Sequence, residues 1–421
     1  MKHMHVLLEG NMAGTLTQDA SGQLSFSYTK GYSGVPLSLS MSHRNEPYGD
    51  KQMRPYLFGL LPDSEDVRKA LAVEFEVSAR NPFALLQHIG LDCPGAVQVC
   101  DDEGLSMIKN REEHLVPIDD HQIAERLRSC TKTDSKWVMD AEHWSLGGQQ
   151  SKLALRKEGG SWYRCEGSAA TTHILKPGIQ GLEQQALNEF LCLGVAGFCG
   201  VNAAKCEYRI FEDQPAIIVT RYDRIRLNGN VLRIHQEDFC QMLGCLPEHK
   251  YSEEGGPSAA DVIRMLKRTG EEAPDNIRRF VEMLLFNYLL AAPDAHAKNY
   301  SVLLGKTQAV LAPLYDAASI LPYRSEVTGL HLAMGIAGEN RTGHLSRNRI
   351  ARFVSQNELE PYGLTTDTVA DMLMELAEKI PPAMRLFAEQ HSDIPGMDSL
   401  ASGMLPKVES LCELSARRVE G

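Results

Sequence analysis

Short alternating runs of apolar and polar residues open the chain. His5 to Leu8 and Leu24 to Tyr28 predict strands, with Gly10, Asn11 and Gly14 supplying the turns between them. The pattern then changes to a helical period. Val67, Leu71 and Phe75, followed by Phe83, Leu85 and Leu86, predict helix over residues 65–90. Residues 101–120 carry seven acids against Lys109 and Arg111, which predicts a solvated surface segment and a boundary region. Between 145 and 225 strand and helix signals alternate. Lys152 to Arg156, Trp162 to Cys165, Thr172 to Lys176, Cys206 to Phe211 and Ala216 to Thr220 read as strands, and Leu182 to Phe198 as a helix. From His235 onward the chain reads as mostly helical. His235-Gln236-Glu237-Asp238 reads as a helix start, its acids favoured in a first turn by the helix dipole. The apolar helix Ile277 to Leu290 must end near Ala292, because Pro293 follows. Two short apolar runs come next, Tyr300 to Leu304 and Val310 to Leu314, separated by Gly305, and long helical patterns fill 345–356, 366–390 and 399–417. There is no internal repeat.

The 421 residues leave room for two or three domains, and 43% hydrophobic with 23% charged residues excludes wholesale disorder. With 43 Lys plus Arg against 55 Asp plus Glu, the formal charge is −12, so the chain is not built to hold a nucleic-acid backbone by its own charge. None of the ten cysteines forms a CxxC pair, and Cys192, Cys199 and Cys206, interleaved with glycines, read as small core residues. Glu9 interrupts the first apolar run, and no stretch approaches the ~18 apolar residues of a membrane helix. A soluble, cytoplasmic protein with reduced thiols is the expectation.

Four segments carry candidate chemistry. Ser145-Leu146-Gly147-Gly148-Gln149-Gln150-Ser151-Lys152 places two glycines before a strand, where backbone N–H groups can approach a phosphate closely. Taken alone it reads first as a tight hairpin turn. Lys176 ends an apolar strand about 25 residues later, suited to pair with nucleotide phosphates or to serve as an ordinary strand-end lysine, and Glu189 follows on a helix, where it can pair with Lys176. Pro293-Asp294-Ala295-His296-Ala297-Lys298-Asn299 puts an acid and an amide five apart on one loop, suited to proton acceptance and Mg²⁺ coordination, with His296 able to stiffen the loop. The other reading of that loop is a plain helix end with an Asp–His turn. Asp316, after Leu311-Ala312-Pro313-Leu314-Tyr315, is a Mg²⁺ ligand or a helix N-cap. Their order along the chain is that of kinase-type phosphoryl transfer. Lys250 to Ser258 is a polar loop that can face a substrate.

Together with THILKPG (172–178), the Asn188-Glu189 pair, TRYDR (220–224), HQEDFCQMLG (235–244), KYSEEGGPS (250–258), PDAHAKNYS (293–301) and LAPLYDAAS (311–319), these segments make the chain resemble the HipA family of serine/threonine kinases, the toxin half of bacterial toxin–antitoxin pairs. LFGLLPD (57–63) and CPGAVQV (93–99) resemble the small domain before that family's kinase core, so the likeness covers nearly the whole chain. The resemblance implies an α+β, bilobed protein-kinase-like fold. It divides the chain into an N-terminal β-containing domain (1–105), a kinase-like N-lobe (106–235) and a largely helical C-lobe (236–421). It implies ATP and Mg²⁺ as cofactors. Gly147, Gly148, Gln149, Gln150, Ser151 and Lys152 match the phosphate loop, and Lys176 the phosphate-pairing lysine. Thr220, Arg221 and Tyr222 match the adenine hinge. Asp294 matches the catalytic base, with His296 and Lys298 against the nucleotide. Asn299 and Asp316 match the metal ligands, with Tyr315 beside the nucleotide, and Ser145 occupies the place of a regulatory, autophosphorylated serine.

Ala292-Pro293 before Asp294 and Leu146-Gly147 in the glycine loop depart from the family's usual pattern, yet neither removes a catalytic side chain. The implied activity is transfer of the ATP γ-phosphate to a serine of an aminoacyl-tRNA synthetase. The implied partner is a HipB-like helix-turn-helix antitoxin, through which operator DNA is met only indirectly. A small-molecule phosphotransferase of aminoglycoside type and a catalytically silent co-repressor are the competing readings.

Overall fold

The structure is a computed structural model, and it describes residues 1–131 and 144–420; residues 132–143 of the expected N-lobe lie outside the described residues. In chain order the first elements are β1 (Lys2–Leu8), β2 (Asn11–Gln18), β3 (Leu24–Tyr28), α1 (Asp50–Leu60), α2 (Glu65–Glu74), α3 (Pro82–Ile89), β4 (Val97–Cys100), α4 (Asp102–Asn110), β5 (Glu113–Ile118) and α5 (Asp120–Thr131). There follow β6 (Leu153–Glu158), β7 (Ser161–Gly167), β8 (His173–Lys176), α6 (Gln185–Phe198), β9 (Cys206–Phe211), β10 (Gln214–Thr220), β11 (Arg224–Leu227), β12 (Asn230–Arg233), β13 (His235–Asp238), α7 (Phe239–Leu243), α8 (Ala259–Leu266) and α9 (Ala273–Leu289). The last are β14 (Ser301–Leu304), β15 (Ala309–Leu311), β16 (His331–Ile336), β17 (Glu339–Arg341), α10 (Arg347–Gln356), α11 (Thr366–Gln390) and α12 (Met397–Glu420). Among the described residues no helix is long and apolar enough to cross a membrane.

The chain divides into two compact units, the first made of Met1–Pro177, Arg209–Glu248 and Ser301–Ala309. Here the β3-β2-β1-β4 sheet covers α1 and α3 through alternating inward residues such as Val6, Leu16 and Phe26. A second sheet runs β5-β7-β6-β8-β10-β9, with Leu155, Leu175 and Ile218 in its core beneath α5. The acidic stretch 101–120 is thus not merely a solvated segment. Asp101 caps α4 by accepting from Gly104 N–H, and β5 pairs with β7 along Glu113–Ile118. The helix expected to start at His235 is also corrected. His235–Asp238 is β13, paired with β14, and the helix begins only after Asp238, whose side chain caps α7 in a capping box. Strand pairing decides between the two, because a four-residue run with acids carries no periodicity of its own.

His235 lies fully buried, its Nε2–H donating to Leu37 O at 3.0 Å while its Nδ1 accepts from Ala96 N–H. Burial pushes the imidazole pKa down to about 4 from 6.5. A depressed folded-state value means that the unfolded chain takes up the proton first. The neutral histidine's contribution is therefore whole above pH 6.5 and is lost as pH falls toward 4, amounting to roughly 3 kcal/mol. Urea unfolding between pH 7 and pH 4 should show this slope, and His235→Gln should flatten it.

The second unit comprises Gly178–Tyr208, His249–Tyr300 and Val310–Gly421. Its helices α6, α9, α11 and α12 pack together around α11. Gly194 in α6 is required there, since a Cβ would lie 2.0 Å from the Phe387 ring of α11. Strands β16 and β17, which the sequence pattern missed, form a hairpin in this unit.

Candidate functional site

In the second unit, α9 ends where Pro293 makes a further turn impossible, and the chain enters a tight loop. The carbonyl of Asp294 accepts from His296 N–H at 2.8 Å and from Asn299 Nδ2 at 2.8 Å, and His296 O accepts from Asn299 N–H. A carbonyl can only accept, so the nearer side-chain atom of Asn299 is its amide nitrogen, and Oδ1 is the end left to serve as a ligand. His296 is buried, with Nε2 3.7 Å from Asp294 Oδ1, whereas the Asp294 side chain is 59% exposed. The loop therefore combines a rigid base with an accessible carboxylate, the combination that proton acceptance needs.

Asp316 follows β15 and holds a left-handed backbone, φ 58°. That conformation costs an acid about 1 kcal/mol and persists only where neighbours hold it. They do. Asn188 of α6 donates to Ser319 O at 2.7 Å and accepts from Ser319 N–H at 3.2 Å, and Ser319 Oγ donates to Leu290 O. Tyr315 O–H donates to Lys298 O at 2.8 Å, tying the segment that carries Asp316 to the loop that carries Asn299. Expected residues Asp294, His296, Lys298, Asn299, Tyr315 and Asp316 are thus brought together within this unit. Glu189 also lies here, buried in α6.

An amide oxygen and a carboxylate from two tied loops are hard donors that fit Mg²⁺, an ion that takes one or two protein oxygens and completes its shell with phosphate and water. Among the described residues no group of three His, Cys, Asp or Glu is placed to cage a metal unaided.

The first unit holds the remaining expected residues. Lys176 ends β8 opposite Ile217 of β10, and Thr220 ends β10 opposite His173. The glycine loop is docked on the N-terminal domain. Gly148 O accepts from Asp63 N–H, Gly148 N–H donates to Asp63 Oδ1, and Lys152 Nζ donates to Gly147 O. Gly148 has φ 105°, and a Cβ there would lie 2.6 Å from Lys152 Nζ. Ser145 is fully buried, its Oγ donating to Leu60 O at 2.7 Å and its N–H to Asp92 O. Gln149, Gln150 and Ser151 continue the loop toward β6, Gln149 exposed.

Arg221 is committed to an ionic network that sequence reasoning did not anticipate. Its guanidinium bonds Asp223, Thr171 and Cys93 O, while Asp92 collects Arg221, Arg224 and Arg233 at 2.9–3.3 Å. Burial alone would raise the Asp92 carboxyl; Arg224, Arg221 and Arg233 hold it well below the usual carboxylate range.

Tyr251 is the neighbour of Asp294 that sequence reasoning missed, having singled out its loop but no residue in it. Its hydroxyl donates to Asp294 Oδ1 at 2.7 Å across 43 residues of chain, a closure with no local signal.

Residues 4–100 match the model of the HipA N-terminal domain, and residues 144–384 that of the HipA-like C-terminal domain. The serine/threonine-protein kinase toxin HipA of Shewanella oneidensis is 29% identical over 389 residues, covering 89% of this chain and 86% of that protein. Y4mE of Sinorhizobium fredii, named for a kinase, is 35% identical over 327 residues, covering 76% and 78%. A solved complex of Shewanella oneidensis HipA, HipB and operator DNA superposes with a TM-score of 0.83 at 27% identity, covering 97% of this chain and 96% of that one. The α+β, kinase-like class expected from sequence is the class of that structure.

Proposed function

Because the chain belongs to the HipA family, we propose that it is an ATP- and Mg²⁺-dependent protein serine/threonine kinase of toxin type, acting in the cytoplasm. The observation that carries this is the tie between the Asp294–Asn299 loop and the Asp316 segment through Tyr315 and Lys298. Asp294 accepts the proton of a substrate serine as that oxygen attacks the γ-phosphorus. The bond to the β–γ bridging oxygen breaks, and ADP leaves. Lys176 neutralises the α/β-phosphates. Gly147 to Lys152 cover the phosphates, Thr220 and Tyr222 face the adenine with Arg221 behind them, and His296 and Lys298 line the nucleotide. Asn299 and Asp316 hold Mg²⁺, which supplies charge neutralisation at the phosphate oxygens. The substrate class is a serine of a translation protein, an aminoacyl-tRNA synthetase. The partner is a HipB-like helix-turn-helix antitoxin, and operator DNA is met through it. Incubating the purified chain and host lysate with Mg·[γ-³²P]ATP, followed by phosphosite mapping, tests the reading; label on a small alcohol and none on protein overturns it.

Ser145 carries the regulatory part of the proposal. Its hydroxyl is buried against Leu60 O, so a phosphate of about two negative charges has no room there. Phosphorylation must expel residues 145–148 from their seat on Asp63 and Asp92. Ser145→Glu is expected to weaken Mg·ATP binding at least tenfold by calorimetry, whereas Ser145→Ala leaves it within about twofold.

A further inference from the structure

The loop carrying Tyr251 is built to reach the base. Lys250 and Tyr251 are followed by a single 3₁₀ turn, Ser252–Glu254, and Gly256 N–H returns to Tyr251 O at 2.9 Å. Only glycine fits at 256, since a Cβ would stand 2.0 Å from His249 O. The loop is then pinned to the β16–β17 hairpin. Glu253 Oε1 accepts from Asn340 Nδ2 at 2.6 Å and bonds His331 Nδ1 at 3.1 Å, and Ser252 Oγ donates to Ala333 O at 2.6 Å. The N–H of the same Ala333 donates to Pro293 O at 2.9 Å. One residue of β16 therefore holds the Tyr251 loop on its carbonyl and the Asp294 loop on its N–H. Between them the Tyr251 ring stands edge-on to His296, centroids 5.1 Å apart, with its hydroxyl on Asp294 Oδ1.

We propose that Tyr251 is a positioning residue for phosphoryl transfer, holding the Asp294 carboxylate in one orientation from a loop clamped by Ala333. This rests on the kinase reading of Asp294 and adds to it a residue to which the sequence assigned no role. An exposed carboxylate turns about its side-chain bonds, and misplacing a base by an ångström lowers the rate steeply without altering nucleotide binding. The 2.7 Å bond from a phenol pinned on two sides removes that freedom.

Tyr251→Phe keeps the ring on His296 and removes only the hydroxyl, so it separates positioning from packing. Label transfer from Mg·[γ-³²P]ATP to host lysate protein is measured across ATP concentrations, beside Mg·ATP affinity by calorimetry and the melting temperature. The expected result is a maximal rate about tenfold lower, with ATP KM, Mg·ATP affinity and melting temperature within twofold or 2 °C of the parent. An unchanged rate overturns the inference. So does a faster one, which would make the phenol a blocking occupant of the base, and so does a parallel rise in ATP KM. Absence of both label transfer and Mg·ATP binding in the parent chain would instead overturn the kinase reading itself.

Discussion

Asp294→Asn should abolish label transfer, lowering the rate by about three orders of magnitude, the scale of losing a general base. The Asp294 side chain is 59% exposed and asparagine has the same shape, so the melting temperature should stay with the parent. Mg·ATP binding should persist, because Asn299 and Asp316 remain. Asp316→Asn supplies the complementary result. Asparagine tolerates the left-handed backbone at φ 58° as readily as aspartate, so this change removes charge without adding strain. It should lose both turnover and Mg²⁺-dependent ATP affinity. Calorimetry with and without Mg²⁺ separates the two variants. Parent-like labelling by Asp294→Asn would sink the assignment of the base.

The largest effect on stability is expected at Asp92. Its carboxylate takes bonds from Arg224, Arg233, Arg221 and Thr171, all buried or nearly so. Among the described residues, Asp92→Ala leaves Arg221 and Arg224 with Asp223 as their one remaining carboxylate and takes from Arg233 the carboxylate it pairs with here. Removing one partner from a buried ionic cluster costs about 3–5 kcal/mol. Urea unfolding followed by far-ultraviolet circular dichroism should register that loss. A shift below about 1 kcal/mol would mean that water enters and re-solvates the arginines. The backbone carbonyl of residue 92 that receives Ser145 N–H is unchanged by the substitution, so the variant tests the ionic network and not the seat of the glycine loop. Lysine in place of Arg233, at the part-exposed rim, should be milder than any change at Arg221 or Arg224.

Much of the site was legible along the chain. Asp294, Asn299 and Asp316 stand at a helix end and a strand end, places that proline and apolar periodicity mark locally. Their mutual ties run through Tyr315 and Lys298, two residues already named as neighbours of the nucleotide. The alternating runs also located β1, β3, β6, β7, β8 and β10, because one buried face imposes a period of two. The failures share a cause. β13 pairs with β14, and β16 and β17 pair with each other, so partner strands and not local pattern make them strands. The acids at 101–120 concealed α4 and β5, since a charged composition records one exposed face and is silent about the other.

By itself the amino-acid sequence determined the identity of most elements, the order of the candidate chemical groups and the requirement for glycine where backbone must come close. Those properties are local: periodicity, capping and φ preference act within a few residues. Only the tertiary structure decided that Arg221 belongs to a buried network centred on Asp92, that Ser145 lies sealed against Leu60, and that Tyr251 meets Asp294. Each joins residues separated by 43 to 129 positions. The free energy of such a contact comes from burial and hydrogen bonding in the folded chain, and neither partner carries a sign of the other.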